Sequence, residues 1–258
     1  MILAVDIGNS DIVLGVFIRG EWRHIWRNPT EAYLEAEQTF RQCAHEEKLD
    51  LSKAQQVIMS SVVPGVSPTM DRVMHRLTNQ PLLWVDAKLF RRMPMLIDNP
   101  DEIGSDLVAN SIAGFDRVGQ AHIVVDFGTA LTFTVVDDSG KIVGVNIAPG
   151  LKTAFRALFQ NTAQIPQVPL EFPASAIGKN TAHALQAGIM LGYVGLVREV
   201  IAQIRAEYPQ PLKVVATGGL SNIMTPLFDD FDVRERTLTL DGLRLLGVRY
   251  GTFGMGVG

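Results

Sequence analysis

Short apolar runs separated by turn residues alternate along the chain with longer amphipathic stretches. In the first half these runs predict strands and helices in the following order: strands at 2–6, 12–18 and 22–26, a helix at 31–48, a strand at 56–62, a helix near 67–77 and a strand at 82–85. Turn residues such as Arg19-Gly20-Glu21 separate the first three strands and favour an antiparallel meander. The later alternation of strand and helix favours parallel pairing.

The second half repeats this order after a helix that Ser105 can cap. Its predicted elements are strands at 122–126, 131–136 and 142–147, helices at 151–160 and 181–206, a strand at 213–216, a helix after Gly218-Gly219 and a last helix at 241–249. Three strands followed by helix, strand and helix, twice over, is the layout of the actin-like ATPase and sugar kinase architecture. We therefore predict a duplicated α/β fold of the ribonuclease H-like kind, with halves 1–118 and 119–258 and the nucleotide cleft between them.

The composition is that of a compact globular protein, since 47% of the 258 residues are hydrophobic and 19% are charged. A net charge of −4 argues against a nucleic-acid partner or an anionic membrane surface. Cys43 is the only cysteine, which excludes an intramolecular disulfide and a cysteine-based metal site. Because we find no run of about 18 apolar residues, we expect no membrane span and a cytoplasmic location.

Candidate chemistry lies in two related loops, Val5 to Asp11 (VDIGNSD) and Val125 to Leu131 (VDFGTAL). Each follows an apolar strand with an aspartate, a glycine and small polar residues, and then a second strand begins. Glycine lets the backbone approach a bulky anion, exposed N–H groups and hydroxyls can donate to phosphate oxygens, and the aspartate can hold a metal ion or water. Two copies in equivalent places indicate an internal duplication with a nucleotide between the halves.

Three further elements can carry function or only local structure. Asp106, near the start of a predicted helix, is either a partner of the helix dipole or a group that accepts or orients the proton of a substrate hydroxyl. The double glycine Gly218-Gly219 is either a tight turn or an adenosine contact. Thr181 is most simply the N-cap of the long helix, although it could also hold substrate. The sequence contains no Walker-type phosphate loop, zinc-binding histidine pair or serine nucleophile elbow.

These elements together resemble type III pantothenate kinases over nearly the whole chain, and they occur in that family's order. The matching motifs are D-x-G-N-S at Asp6 to Ser10, S-V-V-P at Ser61 to Pro64, N-P-x-x-x-G-x-D at Asn99 to Asp106, D-x-G-T-A-x-T at Asp126 to Thr132, P-G-L at Pro149 to Leu151, G-K-N-T at Gly178 to Thr181 and T-G-G at Thr217 to Gly219. The resemblance implies phosphorylation of the primary alcohol of pantothenate by ATP, with magnesium, as the committing step towards coenzyme A.

The resemblance also implies a role for each matching position. Nucleotide contacts would come from the first loop, from the second loop and from the double glycine, that is, from Asp6, Ile7, Gly8, Asn9, Ser10, Asp11, Ile12, Val13, Thr129, Gly218 and Gly219. Asp106 takes the catalytic-base position, and Asp126 takes the position that holds a monovalent cation, potassium or ammonium. Pantothenate-binding positions fall on Gly104, Ser105, Asp106, Leu107 and Thr181. Family members are dimers, so a homodimer is implied.

One departure changes the acceptor side of this prediction. The family has an arginine after the catalytic aspartate, whereas this chain has Leu107. An arginine can pair bidentately with a carboxylate such as that of pantothenate, and a leucine cannot. Two alternatives therefore stay open: a kinase of the same fold acting on a different small alcohol, and a non-catalytic nucleotide-binding accessory protein.

Overall fold

The computed structural model describes residues 1–93, 95–160, 168–229 and 231–251. The chain divides into two compact units, one made of residues 1–116 with 237–258 and the other of residues 117–236. The predicted halves, 1–118 and 119–258, assign the last helix differently, since the structure places that helix in the first unit.

The first unit is built on a five-stranded sheet with strand order β3-β2-β1-β4-β5. Its elements are β1 (Ile2–Ile7), β2 (Asp11–Ile18), β3 (Glu21–Pro29), α1 (Ala36–Glu46), β4 (Gln56–Ser61), α2 (Ser67–Thr78), β5 (Leu82–Trp84), α3 (Ala87–Phe90) and α4 (Ser105–Val118). The first three strands form the predicted antiparallel meander, and β4 and β5 add to β1 in parallel. The carboxyl ends of β1, β4 and β5 therefore lie at one edge of the sheet, where ligands bind in open α/β sheets.

The second unit repeats the arrangement with strand order β10-β9-β6-β7-β8. Its elements are β6 (His122–Phe127), β7 (Ala130–Val136), β8 (Ile142–Pro149), α5 (Leu151–Gln160), α6 (Thr181–Glu207), β9 (Lys213–Thr217), α7 (Ser221–Met224) and β10 (Val233–Arg234). The strands β6, β7 and β8 are antiparallel, and β9 pairs with β6 in parallel. The duplicated α/β layout predicted from the sequence is confirmed.

The last helix, α8 (Leu238–Tyr250), packs on β1 and β4 of the first sheet. Close packing requires two of its glycines: a Cβ on Gly242 would overlap the carbonyl of Ala109 in α4, and a Cβ on Gly247 would overlap Ile58 of β4. The opposite face of the sheet packs against α1 and α2, for example through Phe40 and Met70, which are fully buried. The contacts of α8 with β1 and β4 explain why this helix belongs to the first unit.

Several boundaries differ from the sequence prediction. The helix predicted at 31–48 begins with a 3-10 turn, Thr30–Ala32, and its α-helical part starts only at Ala36. The helix predicted after Gly219 is the short α7, and α8 begins three residues earlier than the 241 predicted. The short elements α3 and β10 carry too few residues to show a hydrophobic period and were not predicted.

The helix α6 is long and apolar enough to cross a membrane by length and composition, although the sequence prediction expected no such segment. In its most apolar window 33% of the residues are buried. A core helix of a folded protein passes the same test, so length and composition alone do not make α6 a membrane span. The finding leaves open what covers the exposed side of this helix.

Candidate active site

The first loop connects β1 to β2 and is held by Thr30, which follows β3. The Thr30 hydroxyl donates to the Gly8 carbonyl at 2.7 Å, and its backbone N–H donates to the Ser10 carbonyl at 2.9 Å. Inside the loop, the Gly8 N–H donates to the carbonyl of Asp11 at 3.0 Å. Asn9 and Ser10 are exposed at the tip, so this turn presents its small polar residues to solvent in a fixed shape.

Three of the residues predicted to contact nucleotide around the first loop have buried side chains. Ile7 and Ile12 are fully buried and Val13 is nearly so. Their side chains form part of the core of the first unit, so only their backbone groups could reach a ligand. Asp6, Gly8, Asn9, Ser10 and Asp11 retain some exposure.

The second loop connects β6 to β7 and is held in the same way. The Thr153 hydroxyl donates to the Thr129 carbonyl at 2.7 Å, and the Gly150 N–H donates to the same carbonyl at 3.0 Å. A Cβ on Gly150 would overlap the carbonyls of Gly128 and Thr129, which makes glycine necessary there. In each unit, a threonine that follows the third strand thus donates its hydroxyl to a loop carbonyl.

Asp126 is the penultimate residue of β6 and lies against Gly218, a residue with φ +98°. A Cβ on Gly218 would overlap both the Asp126 carboxylate and the backbone of Phe127, so glycine is required for two independent reasons. The Thr132 residue, opposite Asp126 in the pairing of β6 with β7, has a buried hydroxyl oxygen without a hydrogen-bond partner among the described residues. A carboxylate beside a buried, unsatisfied hydroxyl is a candidate site for a polar ligand or cation. Gly219 has open space where a Cβ would lie.

Asp6 and Asp106 form the electrostatic centre of the first unit. Burial and the negative charge of Asp106 raise the pKa of Asp6 to about 7, against a hydrogen bond from Ser60 and the positive charge of Arg27. The Ser60 hydroxyl donates to the Asp6 Oδ1 at 2.7 Å. A pKa raised this far keeps part of the Asp6 carboxyl protonated near neutral pH.

Asp106 lies in the first turn of α4, where the Leu107 N–H donates to its Oδ1 at 2.9 Å. Burial raises its pKa, and hydrogen bonds from backbone N–H groups only partly oppose this. The helix N-terminus alone would lower the pKa, so the tertiary environment reverses the direction expected from local structure. A raised pKa makes this carboxylate a stronger base than an ordinary aspartate once it is ionised.

The residues around Asp106 are largely buried. Ser105 begins α4 and is 5% exposed, and its hydroxyl donates to the Ser61 carbonyl at 3.3 Å, which ties α4 to the end of β4. Leu107 is 8% exposed, and its side chain is therefore a core group. Gly104 contacts Asp106, since a Cβ there would overlap the Asp106 carboxylate.

Thr181 is exposed at the start of α6 in the second unit, and its predicted capping role is wrong. The N-cap is Asn180, whose side-chain oxygen accepts a hydrogen bond from the His183 N–H at 2.9 Å. Asparagine and threonine both suit this position, and the backbone decides between them because only Asn180 has extended angles.

Thr30, Thr153 and Ser60 are the residues around the site that the sequence prediction missed. A threonine after a strand is common, so only the duplication could have drawn attention to the first two: each comes shortly after the third strand of its unit. Among the described residues, no group of three or more His, Cys, Asp or Glu side chains is placed to hold a metal ion.

Comparison with known proteins identifies relatives over nearly the whole chain. A family model described as type III pantothenate kinase matches residues 2–203. The type III pantothenate kinase of Moorella thermoacetica is 39% identical over 250 residues, covering 95% of this chain and 98% of that protein. The type III pantothenate kinase of Myxococcus xanthus is 36% identical over 249 residues, covering 95% and 97%.

Solved structures confirm the fold. MreB5 of Spiroplasma citri, bound to AMPPNP, superposes with a TM-score of 0.55 at 10% identity and covers 96% of both chains. At that identity the likeness concerns the fold alone, and it confirms the predicted actin-like ATPase architecture.

Proposed function

The chain belongs to the type III pantothenate kinase family, and from this membership we propose how its residues share the transfer of a phosphoryl group from ATP to pantothenate. The activity is that of a kinase acting on an alcohol, in the pathway to coenzyme A. The observation that carries the assignment of roles is the buried Asp106 carboxylate, close enough to the first-loop Asp6 to raise its pKa.

The nucleotide contacts are proposed for both glycine loops. In the first loop, backbone groups from Asp6 to Val13 and the exposed side chains of Asn9 and Ser10 would donate to phosphate oxygens. In the second unit, Thr129 would contact phosphate, and Gly218 and Gly219 would border the adenosine. The Thr30 and Thr153 hydrogen bonds support this proposal, because they hold the loops in one shape before the nucleotide binds.

Asp106 is proposed as the base of the transfer. The primary hydroxyl oxygen of pantothenate forms a bond to the γ-phosphorus, while the bond from that phosphorus to the β–γ bridging oxygen breaks. ADP leaves with that electron pair, and the hydroxyl proton passes to Asp106 and then to solvent. Orientation of the hydroxyl matters as much as basicity, because the transition state of phosphoryl transfer is loose. Gly104, Ser105, Leu107 and Thr181 are the proposed acceptor-side positions.

A direct assay tests this function. Purified protein with ATP, magnesium, potassium and pantothenate is expected to release ADP only when pantothenate is present, in equal amount to phosphopantothenate measured by mass spectrometry. ADP release that does not depend on pantothenate, or nucleotide binding without turnover, would contradict the proposal.

For the metal ions, ATP carries a divalent ion, which we propose to be magnesium, and Asp126 is proposed to hold a monovalent cation, potassium or ammonium. The residues present fit such an ion: Asp126 supplies carboxylate oxygens, and Thr132 supplies a buried hydroxyl that has no hydrogen-bond partner in the described part of the chain. Oxygen ligands of this kind suit hard cations. When bound, the cation would offset part of the negative charge of the phosphates.

Replacing potassium by sodium is expected to lower kcat, and the Thr132→Val variant is expected to need several-fold more potassium for half-maximal rate. Valine has the shape of threonine without the hydroxyl. Because that hydroxyl has no partner among residues 1–93, 95–160, 168–229 and 231–251, its loss should leave the free energy of unfolding unchanged or raise it by about 1 kcal/mol. Rates at graded potassium, with thermal unfolding alongside, measure both effects. Thr134→Val, two residues further along β7, is the matched control. Equal rates in the two salts would remove Asp126 from this role.

The homodimer implied by the family is proposed to form through the exposed side of α6. Residues spaced three or four apart on this helix are small or apolar and exposed: Ala184, Gly188, Leu191, Gly192 and Gly195. A Cβ built on any of these three glycines would have open space around it. Small side chains let a second helix approach closely, and a second copy would cover this uncharged surface.

Gly192→Glu is expected to convert the dimer into a monomer, measured by light scattering after gel filtration. A glutamate at the interface would place a charge against its symmetry mate, while in an exposed helix it favours folding over glycine by about 0.5–1 kcal/mol. The melting temperature of the monomeric variant should therefore stay close to that of the wild-type protein when both are measured at high dilution. Ala206→Glu, exposed near the other end of α6, serves as the control. A wild-type monomer that cosediments with phosphatidylglycerol vesicles would instead indicate a membrane partner.

We further propose a cytoplasmic protein without nucleic-acid or membrane partners. The net charge of −4 supports this, because a surface for phosphodiesters needs clustered positive charge.

A further inference from the structure

The first loop needs positive charge that its own residues do not supply. Residues 5–13 contain two aspartates and no lysine or arginine. The segments that reach Asp6 from β4 and α4, residues 56–66 and 99–112, also contain no lysine or arginine, and the second carries Asp106. A triphosphate held by the loop would therefore meet mainly negative side chains. Sites of phosphoryl transfer set arginine, lysine or a metal ion against the charge of the phosphates.

Arg27 lies in a row of residues that crosses the first sheet at this loop. In the register of the sheet, Asp6 of β1 is opposite Val13 of β2, and Val13 is opposite Arg27 of β3. On the other side of Asp6 the row continues to Ser60 of β4, whose hydroxyl donates to the Asp6 Oδ1 at 2.7 Å. Directly opposite residues of neighbouring strands place their side chains on one face. Arg27 therefore faces the same side of the sheet as Asp6.

The end of β3 is also joined to the first loop itself. Thr30, three residues after Arg27, follows this strand. It donates to the carbonyls of Gly8 and Ser10. Neighbouring strands are about 4.8 Å apart, so the Cα atoms of Arg27 and Asp6, two strands apart, are separated by about 10 Å. Burial raises the pKa of Asp6 and the charge of Arg27 opposes this, so the two groups are within electrostatic range of each other.

The Arg27 side chain is available to a ligand. The residue is exposed, and in the described part of the chain no carboxylate forms an ion pair with it, whereas Arg23 on the same strand pairs with Glu21. Arginine stays protonated in proteins, and its planar fork of N–H groups matches the oxygens of a phosphate. The long apolar stem lets the guanidinium extend across a neighbouring strand.

We propose that Arg27 binds the terminal phosphate of the ATP held by the first loop and stabilises the negative charge of that group during its transfer. The inference rests on the proposed kinase function. The terminal phosphate is assigned because transfer takes place at Asp106, and Asp106 is close to Asp6, whose row contains Arg27. The fork donates two hydrogen bonds to non-bridging oxygens. The guanidinium gives up no proton, so the bonds formed and broken remain those of the transfer from ATP to the alcohol.

Nucleotide affinity separates the terminal phosphate from the other two. Arg27→Gln is expected to raise the Kd of AMPPNP with magnesium about 10- to 100-fold, because charged hydrogen bonds to that phosphate are lost. The Kd of ADP with magnesium should change less than about twofold, since ADP lacks the group. Isothermal titration calorimetry on the full-length protein measures both constants. Arg23→Gln makes the same change at an exposed position of β3 and should alter neither constant.

Turnover measures the contribution to the transition state. The kcat of Arg27→Gln is expected to fall about 10²–10³-fold. Arg27→Lys should recover part of this loss, because an ammonium group keeps the charge without the fork. Since the residue is exposed, the variants should stay folded, with melting temperatures close to that of the wild type. An Arg27→Gln protein with a kcat within threefold of wild type would overturn the proposal.

Two other results would also contradict it. If Arg27 acted only by favouring the ionised form of Asp6, Arg27→Gln would leave the AMPPNP affinity unchanged in the Asp6→Asn background. Equal weakening of AMPPNP and ADP would place the arginine on a different phosphate. Failure of the kinase function itself looks different: the wild type would release no ADP with pantothenate, while the separate effects of Arg27→Gln on AMPPNP and ADP would still support binding of the terminal phosphate by Arg27.

Discussion

Asp106→Asn is expected to lower kcat by about 10²–10⁴-fold while ATP binding remains. Asparagine keeps the shape of aspartate and can still accept the hydrogen bond that the Leu107 N–H now donates to Oδ1. It offers no carboxylate to take the proton of the substrate hydroxyl. ADP release measures kcat, and fluorescence titration with a nucleotide analogue measures binding.

The pH dependence of the wild-type rate follows from the same group. Burial raises the pKa of Asp106, so its ionised, active form is lost at a higher pH than for an ordinary aspartate as the solution becomes more acidic. The rate should therefore fall as pH decreases through this raised pKa, and saturating ATP should not prevent the fall.

Asp101→Asn provides the matched control for this prediction. Asp101 lies five residues earlier and is exposed, with an ion pair to Arg91 at 3.2 Å. Loss of an exposed ion pair costs little, so kcat should change less than twofold. If Asp106→Asn retained kcat within threefold of wild type, the carboxylate would have no role as a base.

Asp6→Asn is expected to stabilise the protein at pH 8 while greatly reducing its activity with ATP. The folded protein holds the pKa of Asp6 at about 7, above its ordinary value of 3.8. The folded state therefore binds this proton more tightly than the unfolded chain does. Stability from this group is fully present below the ordinary pKa and is lost as pH rises towards about 7.

Asparagine avoids that loss because it does not ionise. Since Asp6 is partly exposed, we expect about half of the full effect, so the free energy of unfolding at pH 8 should rise by about 2 kcal/mol. For a chain of this size the melting temperature should rise by about 4–8 °C. At pH 4 the increase in the free energy of unfolding should disappear, because the Asp6 carboxyl is then protonated in the folded wild-type protein. Urea unfolding at the two pH values measures the difference.

Ser60→Ala should act in the opposite direction. Its hydroxyl donates to the Asp6 carboxylate at 2.7 Å and so favours the ionised form. Removing it should lower stability at pH 8 and have little effect in the Asp6→Asn background. The Asp6→Asn variant could instead exceed the wild-type free energy of unfolding by the same amount at pH 4 and pH 8. That result would show that the Asp6 carboxyl does not titrate as described.

Sequence patterns predicted most of the strands correctly, because apolar runs and turn residues are properties of neighbouring positions in the chain. The apolar runs before Asp6 and Asp126 form β1 and β6, and the turn at Arg19-Gly20 separates β2 from β3. The two glycine loops could also be located, since glycine and small polar residues after a buried strand mark a sharp turn. The capping residue of α6 was misassigned because Asn180 and Thr181 are equally suitable by type and only the backbone angles distinguish them.

By itself, then, the sequence determined the duplicated strand order, the two loops and the family, because these depend on hydrophobic period, turn chemistry and short motifs. The tertiary structure alone decided that α8 joins the first unit and that Thr30 and Thr153 hold the loops. It also decided the direction of the Asp106 pKa, raised by burial although the residue lies at a helix N-terminus. Burial and long-range contacts are sums over residues distant in sequence, so no local pattern contains them.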